Sequence, residues 1–209
     1  MNVFEAFERH ATEYDAWFER NRATYEAELN AVRVVLPHTG AGLDIGVGTG
    51  RFAAPLGIRC GVDPSPAMAA IARSRGIEVT IGRAESLPFA TGHFEYAVMV
   101  TTICFVDDLG VAFREAARVL KPGGHLIVGF IDRHSPLGRT YATRKDPEVF
   151  YRHARFYSPE EVCSQLELSG FHGVIASQTI FEISGEMSSL QPVKPGYGEG
   201  SFVVLRATR

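Results

Sequence analysis

The sequence has few cysteines, little excess charge and no clustered histidines, and each shortage excludes a class of protein. Three cysteines in 209 residues, Cys60, Cys104 and Cys163, are too few and too widely spaced for a disulfide framework or a zinc motif. The seven histidines form no His-x-x-x-His pair, so we predict no metal site. A net charge of −3 and a pI near 6.2 provide no basic surface, so we expect no nucleic-acid partner.

Long apolar segments are also lacking. The longest apolar stretch, 97–106, is too short to cross a bilayer, and the first residues lack the positive start and apolar core of a signal peptide. We therefore expect a cytoplasmic protein with no membrane insertion. Because no repeat, low-complexity tract or flexible linker interrupts the chain, residues 1–209 are predicted to form a single domain.

Glycine, by contrast, is concentrated at one informative place. The stretch 43–50 reads Leu-Asp-Ile-Gly-Val-Gly-Thr-Gly, and an apolar strand is predicted to run into it over 42–47. Gly46, Gly48 and Gly50 lack a Cβ, so they can adopt positive φ angles and bring peptide N–H groups close to a ligand. The pattern indicates a nucleotide-cofactor loop.

The residues that follow agree with such a loop. A short helix is predicted over 51–56 and a second strand over 58–62, and Asp63 then stands nineteen residues after Asp44. A carboxylate at this place can accept hydrogen bonds from both hydroxyls of a ribose. The alternative is a glycine-rich turn in which the aspartate only caps the next helix.

The spacing of the glycines distinguishes two classes of cofactor. Dinucleotide-binding proteins use Gly-x-Gly-x-x-Gly around a pyrophosphate, whereas this chain has Asp-x-Gly-x-Gly-x-Gly. Asp44 would repel a pyrophosphate but suits a ligand that carries an ammonium and a sulfonium group. In this motif the chain resembles the class I S-adenosylmethionine-dependent methyltransferases, in particular small ubiquinone and menaquinone methyltransferases.

Further motifs carry the same resemblance. The loop 82–89 resembles the family segment that reads the adenine edge, although many relatives have Asp where this chain has Arg83. The predicted fourth strand, 93–100, is followed by Thr101, and 119–128 contains a Pro-Gly-Gly turn before a fifth strand. The resemblance implies a set of cofactor-binding residues. They are Asp44, Gly46, Gly48, Gly50, Asp63, Pro64, Met68, Ala84, Glu85, Leu87 and Thr101.

The resemblance also implies an architecture. We expect a three-layer αβα Rossmann-like sandwich with a seven-stranded, mostly parallel sheet whose last strand is antiparallel. Its parts would be a helical cap (1–36), a cofactor-binding core (41–131), a lid-like insertion (132–157) and a C-terminal helix with strands (158–209). The cap is predicted to contain two helices, broken near Asn21.

The acceptor side is less well specified. The segment 14–18, Tyr-Asp-Ala-Trp-Phe, resembles a family segment that covers the cofactor, but the same aromatic residues could simply pack the cap onto the sheet. Within the insertion, 150–157 mixes basic and aromatic residues and could equally be a packed short helix. The candidates are Trp17, Tyr25, Arg152 and Arg155 for the acceptor, and Tyr14, His153 and Tyr157 for catalysis.

The predicted activity is methyl transfer from S-adenosylmethionine to a small-molecule acceptor by in-line displacement, with S-adenosylhomocysteine as product. Positioning supplies most of the rate enhancement in such a reaction. Two alternatives stay open: a protein that binds S-adenosylmethionine without transferring methyl, and a nicotinamide-dependent oxidoreductase, which the glycine spacing disfavours. The protein is expected to be a monomer or a homodimer, and the sequence does not identify the acceptor.

Overall fold

A single mixed sheet forms the centre of the fold in the computed structural model, which describes residues 3–143, 150–151, 154–182 and 191–209. Its strands are β1 (Gly42–Ile45), β2 (Cys60–Asp63), β3 (Glu78–Ile81), β4 (Phe94–Val100), β5 (Leu120–Ile131), β6 (His172–Thr179), β7 (Lys194–Pro195) and β8 (Phe202–Thr208). They lie in the order β3-β2-β1-β4-β5-β8-β6-β7. The five strands from β3 to β5 in this order are parallel.

The last strand is antiparallel, as the resemblance implied. β8 pairs antiparallel with β5 on one side and with β6 on the other. The expected architecture is confirmed, with eight strands among the described residues instead of seven. The additional strand, β7, is two residues long and pairs antiparallel with β6. Two residues are too few to produce the alternating pattern by which a strand is recognised in a sequence.

Helices cover both faces of the sheet. Their bounds are α1 (Val3–Arg9), α2 (Ala11–Arg20), α3 (Arg22–Arg33), α4 (Pro66–Ser74), α5 (Leu109–Val119), α6 (Pro136–Thr143) and α7 (Pro159–Leu168). On one face, Met99 of β4 belongs to a core with Phe113 of α5 and Leu166 of α7. On the other face, Val98 of β4 belongs to a core with Val32 of α3. No helix in the described part of the chain is long and apolar enough to cross a membrane.

The cap contains three helices, not the predicted two. The expected break at Asn21 is present, and the Asn21 side-chain amide donates to the Trp17 carbonyl at 2.9 Å. A further break occurs at His10, whose φ of −121° and ψ of 27° lie outside the helical region. No proline or glycine lies near His10, which is why the sequence pattern did not indicate this break.

The helix predicted over 51–56 is wrong, because this segment forms successive turns. Pro55 has no N–H, so the Arg51 carbonyl one turn earlier has no intrahelical partner. The Tyr25 hydroxyl donates to that carbonyl instead. The glycine loop is thereby attached to α3 of the cap.

Side-chain caps define the starts of two helices. Asp108 accepts a hydrogen bond from the Val111 N–H and so caps α5. Ser158 and Glu161 form a reciprocal capping box at the start of α7, with Pro159 in its first turn. These caps are local interactions between residues three apart, so the sequence was sufficient to predict them.

Candidate functional site

A cleft lies at the carboxyl ends of β1, β2 and β4, the usual ligand position in an open α/β sheet. Its volume is about 690 Å³ including its open mouth. Eight of the eleven residues predicted to bind the cofactor line it: Gly46, Gly48, Asp63, Pro64, Met68, Ala84, Glu85 and Thr101. The cap closes one side through Phe7 and Tyr14.

The three glycines of the loop have different structural roles. All have positive φ angles, 76° at Gly46, 53° at Gly48 and 81° at Gly50. A Cβ would lie 2.4 Å from the Thr102 side chain at Gly46 and 2.5 Å from Ile77 at Gly50. At Gly48 it would meet only Tyr14, at 3.8 Å. Gly46 and Gly50 are therefore required for packing, and Gly48 leaves open space.

The peptide N–H groups of these glycines were expected to approach a ligand, but all three donate to acceptors within the protein. The N–H of Gly46 donates to the Val62 carbonyl at 2.8 Å, and the N–H of Gly50 donates to the Val47 carbonyl at 2.8 Å. The N–H of Gly48 donates to Asp63. The loop thus contributes shape and close approach to the cleft, while its own hydrogen bonds hold β1 against β2.

Asp63 is a buried carboxylate held from two sides. Its Oδ2 accepts from the Gly48 N–H at 2.8 Å and its Oδ1 accepts from the Ser65 N–H at 2.9 Å. Burial raises the pKa of Asp63 to about 6, against the effect of these two hydrogen bonds. Because an ionised carboxylate can accept about four hydrogen bonds, it retains capacity for two ligand hydroxyls.

The other three predicted cofactor residues do not line the cleft. Asp44 is 2% exposed beneath the glycine loop, and burial together with the charge of Asp63 raises the pKa of Asp44 to about 8. Gly50 packs against α4, as described above. Leu87 is a core residue whose N–H donates to Glu115 at 2.8 Å.

Glu85 uses its side chain within the protein. Its Oε1 accepts from the Asp107 N–H at 2.7 Å, and its carboxylate also pairs with Arg83 at 3.5 Å. Arg83 in turn pairs with the Asp107 carboxylate. Arg83, where many relatives have Asp, therefore links the loop 82–89 to the segment before α5.

Thr101 and Tyr14 both line the cleft. Thr101 has a φ of 52°, which is strained for a β-branched residue. Burial raises the pKa of Tyr14 well above its usual range, while a side-chain hydrogen bond with Thr101 opposes the shift. Tyr14 is thus an uncharged phenol at neutral pH, which can donate a hydrogen bond but is a poor general base.

A second cavity, here called the aromatic cavity, adjoins the cleft and shares Tyr14 and Thr101 with it. Its volume is about 1090 Å³ including its open mouth. Six further aromatic side chains line it: Trp17, Phe18, Phe52, Tyr141, Phe150 and Tyr151. The arrangement gives a cofactor site and an aromatic site that meet at two side chains.

Glu28 lines the aromatic cavity and was missed by the sequence analysis. It is only 4% exposed, and burial raises the pKa of Glu28 to about 8. A signal was present, because Tyr25, Glu28, Leu29 and Val32 follow the i, i+3, i+4, i+7 spacing of one helix face. A carboxylate on the apolar face of an amphipathic helix is unusual enough to notice.

Only some of the residues predicted to bind the acceptor or to act in catalysis line either site. Tyr25 packs against Phe18 and Phe52, and it is not among the described residues lining either site. The Arg155 guanidinium lies 5.0 Å from the ring centre of Tyr157, and neither residue is among the described residues lining the cleft or the aromatic cavity. Trp17 and Tyr14 do line the aromatic cavity. Arg152 and His153 lie outside the described residues.

Charged contacts hold the cap over the glycine loop. Asp15 of α2 pairs with Arg51 at 2.7 Å and with Arg75 at 2.9 Å. Although burial opposes it, hydrogen bonds from these arginines hold the pKa of Asp15 well below its usual range. Glu8 of α1 accepts from the Ser65 hydroxyl at the start of α4. The cap is therefore fastened at both the loop and the next helix.

Comparison with known proteins assigns the family. Residues 43–128 match the model described as "Methyltransferase domain". A crystal structure from Thermotoga maritima, named "SAM-dependent methyltransferase, possible histamine N-methyltransferase", is 52% identical, with a TM-score of 0.95 over 98% of this chain and 99% of that one. An uncharacterized protein of Methanocaldococcus jannaschii is 44% identical over the full length of both chains.

A more distant relative agrees with the motif resemblance. The ubiquinone biosynthesis O-methyltransferase of Azorhizobium caulinodans is 29% identical over 145 residues, which is 62% of this chain and 57% of that protein. The fold, the cleft and these similarities lead to one assignment. The chain belongs to the class I S-adenosylmethionine-dependent methyltransferases, and its cofactor is S-adenosylmethionine.

Proposed function

We propose that the protein transfers a methyl group to a small-molecule acceptor bound in the aromatic cavity. The observation that supports this proposal is the meeting of the cofactor cleft and the aromatic cavity at Tyr14 and Thr101. Two relatives have names that refer to different acceptors: the Azorhizobium protein is named a ubiquinone biosynthesis O-methyltransferase, and the Thermotoga protein a possible histamine N-methyltransferase. Acceptor choice would therefore depend on the cavity, because the cleft is common to the family.

The cleft has the features that S-adenosylmethionine requires. We assign Asp63 to the ribose hydroxyls, Gly48 to close approach, and the backbone of Ala84 and Glu85 to the adenine edge. When bound, the cofactor supplies a methyl group on a positively charged sulfur. Thr101 and Tyr14 would then border the reacting centre, with the Tyr14 phenol in its protonated form.

Methyl transfer depends mainly on positioning the acceptor and on excluding water. Aromatic rings on several sides restrict where a flat or apolar acceptor can lie, and alignment alone can contribute about 7–11 kcal/mol to lowering a barrier. The strained φ of Thr101 indicates that its place between the two sites is imposed by the fold.

Titration calorimetry with S-adenosylhomocysteine and with NAD tests the cofactor assignment. We expect binding of S-adenosylhomocysteine and none of NAD, and the reverse result would refute the proposal. Turnover is tested separately by incubating the protein with S-adenosylmethionine and a panel of amines, phenols, thiols and carboxylic acids. Failure to form S-adenosylhomocysteine with every member of the panel would favour a protein that binds the cofactor without methyl transfer.

A further inference from the structure

The lining of the aromatic cavity contains one deeply buried ionisable carboxylate. Glu28 projects from α3, and burial is the one cause of its raised pKa, with no hydrogen bond or ion pair from the described residues to oppose it. A buried carboxylate without a partner is costly, so it is retained only where something compensates for it. The usual compensations are protonation and a positively charged group.

The surroundings of Glu28 suit a cation. Tyr14 and Trp17 line the same cavity, and their ring faces carry the negative potential that attracts ammonium groups. The charged side chains at the rim, Glu13 and Arg20, are both exposed to solvent. No buried basic side chain lies among the described lining residues, so an anionic acceptor would face Glu28 without compensation.

The geometry points to an acceptor class. We propose that the methyl acceptor is a small amine that binds as its ammonium ion in the aromatic cavity, where Glu28 holds the charged nitrogen. For transfer, one ammonium proton passes to the Glu28 carboxylate, and the nitrogen lone pair so freed forms the C–N bond as the carbon–sulfur bond of the methyl donor breaks. This inference rests on the proposed function, because it takes the aromatic cavity as the acceptor site. It makes Glu28 a specificity-determining residue, with Trp17 and its aromatic neighbours forming the rest of the cage.

The first test is a comparison of binding partners of similar shape and different charge. The protein saturated with S-adenosylhomocysteine is titrated with benzylamine, phenethylamine and histamine, and with benzyl alcohol and benzoate. We expect the amines to bind more tightly than the neutral and anionic compounds. If no amine binds more tightly than benzyl alcohol, the proposal is overturned.

The second test removes the charge and keeps the shape. Glu28→Gln is expected to weaken amine binding by on the order of tenfold to a hundredfold, the usual effect of losing a hydrogen bond to a charged group. The matched control is Glu26→Gln, the same substitution at an α3 side chain that pairs with Arg22 and lines neither site, which should leave amine binding nearly unchanged. Equal loss in both variants, or none in Glu28→Gln, would overturn the role of Glu28.

Proton release gives a readout that a purely structural role would not produce. With a pKa of about 8, Glu28 is mostly protonated at pH 7 before the amine binds. Pairing with an ammonium ionises it, so amine binding should release protons, measured by calorimetry in two buffers of different ionisation enthalpy. The other titratable groups lining the cavity are Glu13, Tyr14, Arg20, Tyr141 and Tyr151.

The outcomes separate this inference from the proposed function. If S-adenosylhomocysteine does not bind, the cofactor assignment fails first. If S-adenosylhomocysteine binds equally well to the wild type and to Glu28→Gln, and the variant loses both amine affinity and proton release, the inference stands. If Glu28→Gln lowers the melting temperature but keeps amine affinity, Glu28 has only a structural role and the inference is wrong.

Discussion

The cofactor cleft and the aromatic cavity share Tyr14 and Thr101 but are constructed differently. The cleft is formed at strand ends, where the fold places backbone turns and one acid, Asp63. The aromatic cavity is formed by side chains far apart in the chain, from Trp17 in the cap to Tyr151 in the insertion. Backbone geometry can thus be shared by a whole family, while a cavity of packed side chains can change with each member.

The largest expected effect concerns the cleft alone. Asp63→Ala removes the acceptor proposed for both ribose hydroxyls, so binding of S-adenosylhomocysteine should weaken by about 3 kcal/mol or more. Calorimetry measures the affinity, with Glu26→Ala as the control because that carboxylate pairs with the exposed Arg22 and does not line the cleft. Amine binding in the aromatic cavity should persist. Unchanged cofactor affinity in Asp63→Ala would contradict the role of Asp63 as the acceptor for the ribose hydroxyls.

The next effect concerns the junction between cap and loop. Asp15→Asn breaks charge-assisted contacts to Arg51 and Arg75, which should lower the free energy of unfolding by about 1.5–3 kcal/mol. Hydrogen exchange should rise in α2 and α3 but not in β4. The control is Glu26→Gln, whose partner Arg22 is largely exposed, and it should change little. Faster exchange throughout the sheet would contradict a role confined to the cap.

The same carboxylate determines a pH dependence of stability. The pKa of Asp15 is lowered in the native state, so its stabilisation is present above the unfolded-state pKa of about 4 and is lost as the pH falls through the lower native value. The Asp15→Asn variant should lack this pH-dependent stabilisation. Thermal melts of both proteins from pH 6 to pH 2 measure the difference, which should shrink as the pH falls.

A smaller effect should appear in cofactor binding at mildly acidic pH. Ribose hydroxyls favour the ionised form of Asp63, whose pKa in the free protein is about 6. Affinity for S-adenosylhomocysteine should therefore fall below pH 6, by about tenfold for each further pH unit. Asp63→Asn should show weak affinity without this slope. A slope of equal size in that variant would assign the titration to another group.

The smallest effect concerns the aromatic cavity. Trp17→Phe keeps an aromatic ring but weakens its attraction for a cation, so amine affinity should fall by about two- to fivefold. Cofactor affinity should not change, because Trp17 lines the cavity and not the cleft. Phe7→Leu, which alters the cleft wall, is the reciprocal control. If Trp17→Phe affected both ligands equally, the two sites would have to be treated as one.

Sequence reasoning succeeded where neighbours in the chain determine the structure. The positive φ angles of Gly46, Gly48 and Gly50 and the capping box at Ser158 depend on residues within a few positions. It failed at 51–56, where the helix was predicted from length and pattern alone. There the absent N–H of Pro55 prevents a regular helix, and the freed carbonyl is satisfied by Tyr25, a residue far away in the sequence.

The sequence by itself determined the fold, the family and the acid at the end of β2, because these depend on local motifs at fixed spacing. Only the tertiary structure decided which side chains share the aromatic cavity, because packing joins α2, α3 and the 132–157 insertion. The tertiary structure also determines the environment of Glu28. The sequence contains a glutamate on a helix, whereas the fold removes that glutamate from water and places it in the lining of a cavity with several aromatic side chains. Burial, which no single segment specifies, produces its unusual chemistry.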